Sequence, residues 1–361
     1  MSRPALCFYI LTLFFATLSF SLVAQNTGGR SKLDFLQLPA TGTSTAMGAN
    51  HITVSGNDPA LFFQNPAALD STVSDNIALN LMSYLADTKM VNLAYAKSLK
   101  NNRGTWVAGI QYLHYGTMEQ TDDIGNVIGE FRAADYGLSL GYAHKIGAFT
   151  VGATSKLVAS AMESYTTWGI AMDWGATFKH PQQDLTIGLT VKNIGFLKQN
   201  FYSGYDPILP FDVRIGVSTK PLYMPIRFTA TVHHLNKFDM VYNDPNLFYT
   251  YTNTGLRQPR EVGVVEKLAR HLSLGTEILI HTNFRILLGY DHLRRQELRL
   301  VNRGALAGFS YGAWFRVKNF EITYGRSQYT PGFASNSFSI VMNLKNGFVK
   351  DKTYAKGKFI Q

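Results

Sequence analysis

Between Asn76 and about Leu344 one unit recurs fourteen times: a run of large apolar residues alternating with small or polar ones, then a break. The segment from Trp168 to Phe178 shows it cleanly. Trp168, Ile170, Met172, Trp174 and Phe178 share one strand face; Gly169, Ala171, Asp173, Gly175 and Thr177 share the other, because successive side chains of a strand point to opposite sides. Alternation alone would suit a soluble sandwich as well. The breaks decide the matter. Residues 100–104, 146–148, 180–184, 221–225, 281–283 and 318–319 are short connections, and 116–134, 160–167, 194–211, 236–270, 293–304 and 327–336 are long ones, in strict alternation. The connection from Leu85 to Met90 is the one exception, short where a long one is due. Transmembrane β-barrels segregate loop lengths in this way, with an even strand number and short turns on the periplasmic side.

Composition agrees with that architecture. Charged residues are only 16% of the 361-residue chain, aromatics reach 13%, and mean hydropathy is -0.04. A bundle of membrane helices is excluded, since nothing after residue 25 approaches the roughly 20 apolar residues such a helix needs. The expected fold is all-β: a closed antiparallel transmembrane barrel of about 14 strands, preceded by a short N-terminal segment. Leu138, Leu140, Tyr142, Ile286, Leu288, Tyr290, Phe309, Tyr311 and Phe315 would face lipid. Gly137, Ser139, Gly141, Gly289, Ser310, Gly312 and Arg316 would face the lumen.

Four segments follow. Residues 1–24 read as a signal peptide, with Arg3, the apolar run Ala5 to Val23, and a cut at Ala24-Gln25. Residues 25–75 lack alternation and carry Asp58-Pro59 and Asn65-Pro66 steps, so they read as a periplasmic or lumen-entering segment. Residues 76–344 form the barrel, and 345–361 a basic tail. The expected location is the bacterial outer membrane, with long loops at the cell surface and both termini periplasmic. The sole cysteine, Cys7, lies in the signal peptide and takes no part in the mature protein's chemistry.

Net charge is +10. Arg257, Arg260, Lys267 and Arg270, then Arg285, Arg294, Arg295, Arg299 and Arg303, gather near the long connections. For an exported barrel the anionic neighbours this implies are outer-membrane lipid and phosphorylated lipopolysaccharide, not nucleic acid. No nucleophile elbow, phosphate loop or paired-histidine zinc motif is present. His233 and His234, as neighbours on a strand, would face opposite sides and share no metal. No enzyme activity, metal or cofactor is expected.

The segment Asp58-Pro59-Ala60-Leu61-Phe62-Phe63-Gln64-Asn65-Pro66-Ala67 resembles the pre-barrel motif of FadL-like outer-membrane proteins, which are fourteen-stranded. Within that group the chain resembles the PorQ family of the type IX secretion system. The matching pieces are Gly28-Gly-Arg30 with Phe35-Leu-Gln-Leu-Pro39, Ser83-Tyr-Leu-Ala-Asp87, Gly109-Ile-Gln-Tyr112, Arg294-Arg-Gln-Glu-Leu298, Gly308-Phe-Ser-Tyr-Gly312, and Tyr324-Gly-Arg326 with Ala334-Ser-Asn-Ser-Phe338. The PorQ resemblance implies a non-enzymatic surface scaffold or anchor for the cargo attachment complex, with PorZ, PorU and PorV as partners. The FadL-like motif by itself implies the alternative, a transporter of hydrophobic small molecules. For the scaffold, the candidate partner-binding residues are Tyr242, Phe248, Tyr249, Tyr251, Arg257 and Arg260, in the longest outer loop. Aromatic and arginine side chains are favoured interface anchors.

Overall fold

The computed structural model describes residues 33–99, 104–200, 208–241, 249–251, 257–259, 262–298, 306–330 and 332–345, with backbone alone at 249–251 and 257–259. Among these residues are sixteen strands: β1 Asn76–Ser83, β2 Lys89–Ser98, β3 Thr105–Thr121, β4 Val127–Ile146, β5 Phe149–Met162, β6 Tyr165–Lys179, β7 Leu185–Gln199 and β8 Asp212–Thr219. Then come β9 Ile226–Val232, β10 Tyr249–Tyr251, β11 Arg257–Pro259, β12 Leu272–His281, β13 Phe284–Asp291, β14 Phe309–Val317, β15 Phe320–Thr330 and β16 Phe333–Asn343. Fourteen of them close an antiparallel barrel, each beside its sequence neighbour. The wall skips β10 and β11, which pair only with each other, so β9 lies beside β12. Closure is by β1 on β16, from Asn76 opposite Asn343 to Ser83 opposite Asn336.

Alternation resolves as expected. Leu138, Leu140, Trp174, Ile215, Leu288 and Tyr311 are exposed on the outside, while Ser139, Asp173, Thr190, Ser273 and Ser310 are buried within. An apolar exterior around a polar interior inverts a soluble protein and suits lipid. Because the sheet closes, its backbone groups find partners within the wall, which hydrocarbon demands. Aromatic pairs mark both rims: Trp106 with Tyr142 (4.9 Å) and Phe149 with Phe178 (5.0 Å) near the short turns, Tyr290 with Phe309 (4.9 Å) near the long loops.

Two expectations about the loops change. The wall is taller on one flank. β3 and β4 run 17 and 20 residues and are joined by a turn at 122–126, so most of the anticipated 116–134 loop is a strand ribbon. Likewise only Glu163 and Ser164 separate β5 from β6. Above the membrane both faces of a ribbon meet water, so backbone pairing continues where hydrophobic alternation has ended.

Residues 33–75 fill the lumen. The described chain starts at the loop end, where Leu33, Phe35 and Leu36 pack with Met82, Met90, Leu113, Val158 and Leu209. It descends through a short helix, Gly42–Ala46, and 3-10 turns at Pro59–Phe63, Pro66–Ala68 and Ser71–Val73, reaching the turn end at β1. There Leu344 N donates to Asp75 O, so the described ends, Leu33 and Lys345, lie at opposite ends of the barrel. Residues 1–32 and 346–361 lie outside the described residues.

Candidate functional site: the plugged lumen and the loop end

Four pairs of glycines stand directly opposite each other on neighbouring strands: Gly152 with Gly175, Gly188 with Gly216, Gly275 with Gly289, and Gly312 with Gly325. Each pair receives a piece of the plug. A Cβ at Gly325 would lie 2.2 Å from Gly42 O, at Gly312 2.6 Å from Ala46 Cβ, and at Gly289 2.2 Å from the Met47 carbonyl carbon. Further round, one at Gly275 would lie 2.6 Å from His51 Nε2, at Gly216 2.9 Å from Ile52 Cγ1, and at Gly152 2.6 Å from Pro66 O. From Gly42 to Thr53 the plug winds around the inside of the wall in reverse strand order, from β15 to β7. It then crosses back beneath β12–β16 before Phe62 to Ala67 reach β3–β6. Only glycine on the wall leaves room for so close an approach.

The motif residues explain the docking. Asp58 accepts from Ala60 N (2.8 Å) and starts the Pro59–Phe63 turn, with Pro59 in the first position, where its missing N–H costs nothing. Asn65 does three things. Its Oδ1 accepts from Ala67 N (2.9 Å), and its Nδ2 donates to Ile52 O (2.8 Å) and to Thr177 Oγ1 on β6 (3.1 Å). Pro66 and Ala67 then rest on the Gly152–Gly175 pair, where a Gly175 Cβ would meet Asn65 Oδ1 at 2.2 Å. Asp58, Pro59, Asn65, Pro66 and Ala67 are fastening residues.

Near the turn end, plug and wall leave a cavity of about 180 Å³. Val54, Leu61, Leu287 and Val341 line it together with Asp58, Glu277, Arg285, Trp314, Arg316 and Glu321. Its charges are largely matched. Arg316 bonds Glu321 (2.5 Å), Asn57 Nδ2 donates to Glu321 (2.8 Å), and Arg285 stacks on Trp314 (4.2 Å) within 3.7 Å of Glu277. Burial pushes the Asp58 carboxyl up to about 7, with the nearby Glu321 carboxylate adding to the rise and the Ala60 N–H opposing it. The chamber is small, with charged and apolar groups side by side.

Further up, β5 to β8 carry buried ion pairs, Lys156 with Asp173 (2.5 Å) and Arg214 with Asp212 (2.5 Å). A bulge in β7, where β6 residue Met172 faces Ile194 and Trp174 faces Val191, turns both Lys192 and Asn193 inward. On the other side Asp291 accepts from Asn50 of the plug (2.6 Å) and from Arg294 N (2.8 Å). His233 Nε2 lies 3.5 Å from Asp291. His233 and His234 do come together, Nδ1 to Nδ1 at 2.6 Å, against the strand-based expectation. The strand ends at Val232, and His234 takes a left-handed backbone (φ 55) that swings its ring round. Among the described residues no group of His, Cys, Asp and Glu could hold a metal.

Of the candidate loop residues, Tyr242, Phe248 and Arg260 lie outside the described residues. Tyr249 and Tyr251 sit on β10 and Arg257 on β11, a short ribbon with Tyr251 opposite Arg257. The basic group is not a free rim. Arg285 and Arg294 turn inward, the latter onto the Tyr329 ring (4.5 Å), and Arg270 and Lys267 pair with Glu266 and Asp239. Glu266 and Asp239 lie in the same 236–270 connection as Arg270 and Lys267, so that part of the basic group is balanced locally, while Arg285 reaches Glu277 on the neighbouring strand.

No family model matches the sequence, and no curated protein does. Solved structures resemble the fold. The toluene transporter TbuX of Ralstonia pickettii matches with a TM-score of 0.51 at 12% identity, over 85% of this chain and 98% of that one. By fold, the chain is an all-β, closed antiparallel barrel of fourteen strands with a short segment before the strands, as in that transporter. Weaker likenesses are the monoaromatic hydrocarbon channel TodX (TM-score 0.47, 13% identity, 83% and 97% covered) and a FadL homologue of Pseudomonas aeruginosa (0.44, 12%, 84% and 98%). The match to TbuX covers more of this chain than residues 76–343 make up.

Proposed function

We propose that this protein is a non-enzymatic surface scaffold of the outer membrane, serving the attachment complex of a type IX secretion system as its PorQ resemblance implies. The observation that carries the reading is the plug. It is fastened to the wall by paired glycines and by Asn65, and it spends the lumen on structural contacts. A barrel built this way is a fixed pedestal whose working surface lies at its loop end. That end faces the cell exterior, among lipopolysaccharide, and PorZ, PorU and PorV are the partners the resemblance supplies. Co-purification from detergent-solubilised outer membrane tests this. Recovery of attachment-complex proteins with the barrel supports the scaffold, and a barrel that comes out alone contradicts it.

A second reading has its own support. The neighbour in fold is a toluene transporter, which favours a conduit for hydrophobic compounds over a secretion component. Against it stands the filled lumen, where the described cavity is small and sets Val54, Leu61, Leu287, Trp314 and Val341 beside Asp58, Glu277, Arg285, Arg316 and Glu321. Uptake of a labelled fatty acid into cells, dependent on this protein, separates the two. The scaffold reading expects none.

A further inference from the structure

Among the described residues, the β3–β4 ribbon stands clear of the wall, touching it beyond its base only through Gln120 and Glu163. β2 leaves β3 at the Lys89–His114 pair, and β5 joins β4 only at Ala133–Met162. From Thr117 opposite Arg132 upward, no other strand among the described residues pairs with either edge. Strand rise of roughly 3.3 Å per residue carries the tip about 20 Å beyond the last paired position. The ribbon leaves the wall at a bulge after His114, with Gly116 (φ 89) closing on Asp87.

Its tip is built, not frayed. Asp122 accepts from Ile124 N (3.1 Å), Asn126 N (2.8 Å) and Asn126 Nδ2 (3.0 Å), which fixes the turn. That turn presents Ile124, Val127 and Ile128, exposed by 84%, 59% and 61%. Three large apolar side chains held outward in water, on a ribbon with open edges, mark an interaction surface. A second feature selects the partner. Glu119 stands directly opposite Glu130, and like charges in that position destabilise a strand pair. Between Thr117 and Arg132 the ribbon carries Glu119, Asp122, Asp123 and Glu130 against Arg132 alone, in a chain of net charge +10. Glu163, at the adjacent β5–β6 turn, accepts from Gln120 (3.2 Å) and adds to the field.

We propose that this ribbon is a docking surface for a folded protein whose contact patch is basic around an apolar centre. Its Arg or Lys side chains would enter between Glu119 and Glu130 while Ile124, Val127 and Ile128 are covered. An anionic lipid surface is the wrong partner, since the acidic ribbon and lipid phosphates repel. The proposal rests on the scaffold reading for which protein docks, and on the ribbon itself for where and by what chemistry.

Photo-crosslinking in intact cells tests it, with a benzophenone amino acid in place of Ile124 or Val127, and in place of Tyr223 at the opposite end as control. The expected result is one major protein adduct from the ribbon sites, to a protein whose surface is basic, absent from the control. The adduct falls by at least about tenfold in the Glu119→Lys/Glu130→Lys pair, since like charges across an interface cost several kcal/mol. Heat-modifiable migration confirms that the variant barrel folds, and Glu119→Gln/Glu130→Gln gives an intermediate loss. Adducts to lipid or lipopolysaccharide alone, a yield unchanged by charge reversal, or a yield lost on chelating divalent cations overturns the proposal. Ribbon adducts to a basic protein outside the attachment complex keep the docking surface and defeat the scaffold's assignment. Attachment proteins that co-purify without touching the ribbon do the reverse.

Discussion

The plug and the β3–β4 ribbon are both short stretches of irregular or extended chain beyond the membrane-facing wall, and they are treated in opposite ways. Every turn of the plug between Gly42 and Ala67 is seated on a glycine, a hydrogen bond or both. The ribbon is held by its own strand pairing and by the Asp122 turn, and meets little else among the described residues. Close packing inside makes the barrel a single body, while open apolar surface outside makes it something to be held. A solute gate would want the reverse, a loosely held plug and an unadorned rim.

The most damaging test of the contrast is to fill the belt. Gly175→Leu drives a side chain into Asn65 and Ala67 and should cost about 3 kcal/mol of plug docking through overpacking. Proteolysis of the plug in an otherwise heat-modifiable barrel would show it. Asn65→Ala comes next. It strips partners from Ala67 N, Ile52 O and Thr177 Oγ1, at about 2 kcal/mol for buried groups left unpaired, and transient ion conductance in planar bilayers should appear.

A pH series sharpens the comparison further. Burial holds His51 down to about 4 from its usual 6.5, so its contribution to docking is complete at neutral pH and is lost as pH falls from 6.5 through 4. Asp58 is raised from 3.8 to about 7, so its contribution is complete in acid and is lost as pH rises through 7. Between about 4 and 6.5 the two slopes oppose each other. Asp58→Asn leaves the His51 slope, and plug protection should then strengthen with rising pH across that window; a flat response would count against the assignment. The smallest effect belongs to the ribbon. Glu119→Gln relieves one cross-strand repulsion and should stabilise the isolated tip by a few tenths of a kcal/mol, seen as slower amide exchange at 117–132.

The wall was legible because lipid imposes a rule on every second residue. Strand starts such as Thr105, Phe149, Leu185, Asp212 and Phe284 coincide with the structure for that reason. The ribbon was read as a loop because water imposes no such rule on Glu119 or Gln120. The plug was half legible: the Asn65-Pro66-Ala67 segment read as periplasmic or lumen-entering, without a sign of which or of where it docks. The signal that could have shown it lay in the strands, where Gly152, Gly175, Gly188 and Gly216 sit on the inward face at mid-strand and bespeak close backbone approach. His233 and His234 were misread for a local reason, a strand that stops one residue earlier. The candidate partner-binding residues Tyr242, Phe248 and Arg260 fall outside the described residues, and the acidic ribbon was passed over because Asp122, Asp123 and Gly125 look like any turn.

Hydrogen–deuterium exchange of the intact protein in lipid nanodiscs tests the central claim most directly, that the plug is part of the wall. Amides of Gly42–Ala67 that bond within the protein should exchange as slowly as those of β12 to β15, in one cooperative unit. A plug that exchanges orders of magnitude faster than a protected wall would contradict the account and return the barrel to the class of gated conduits.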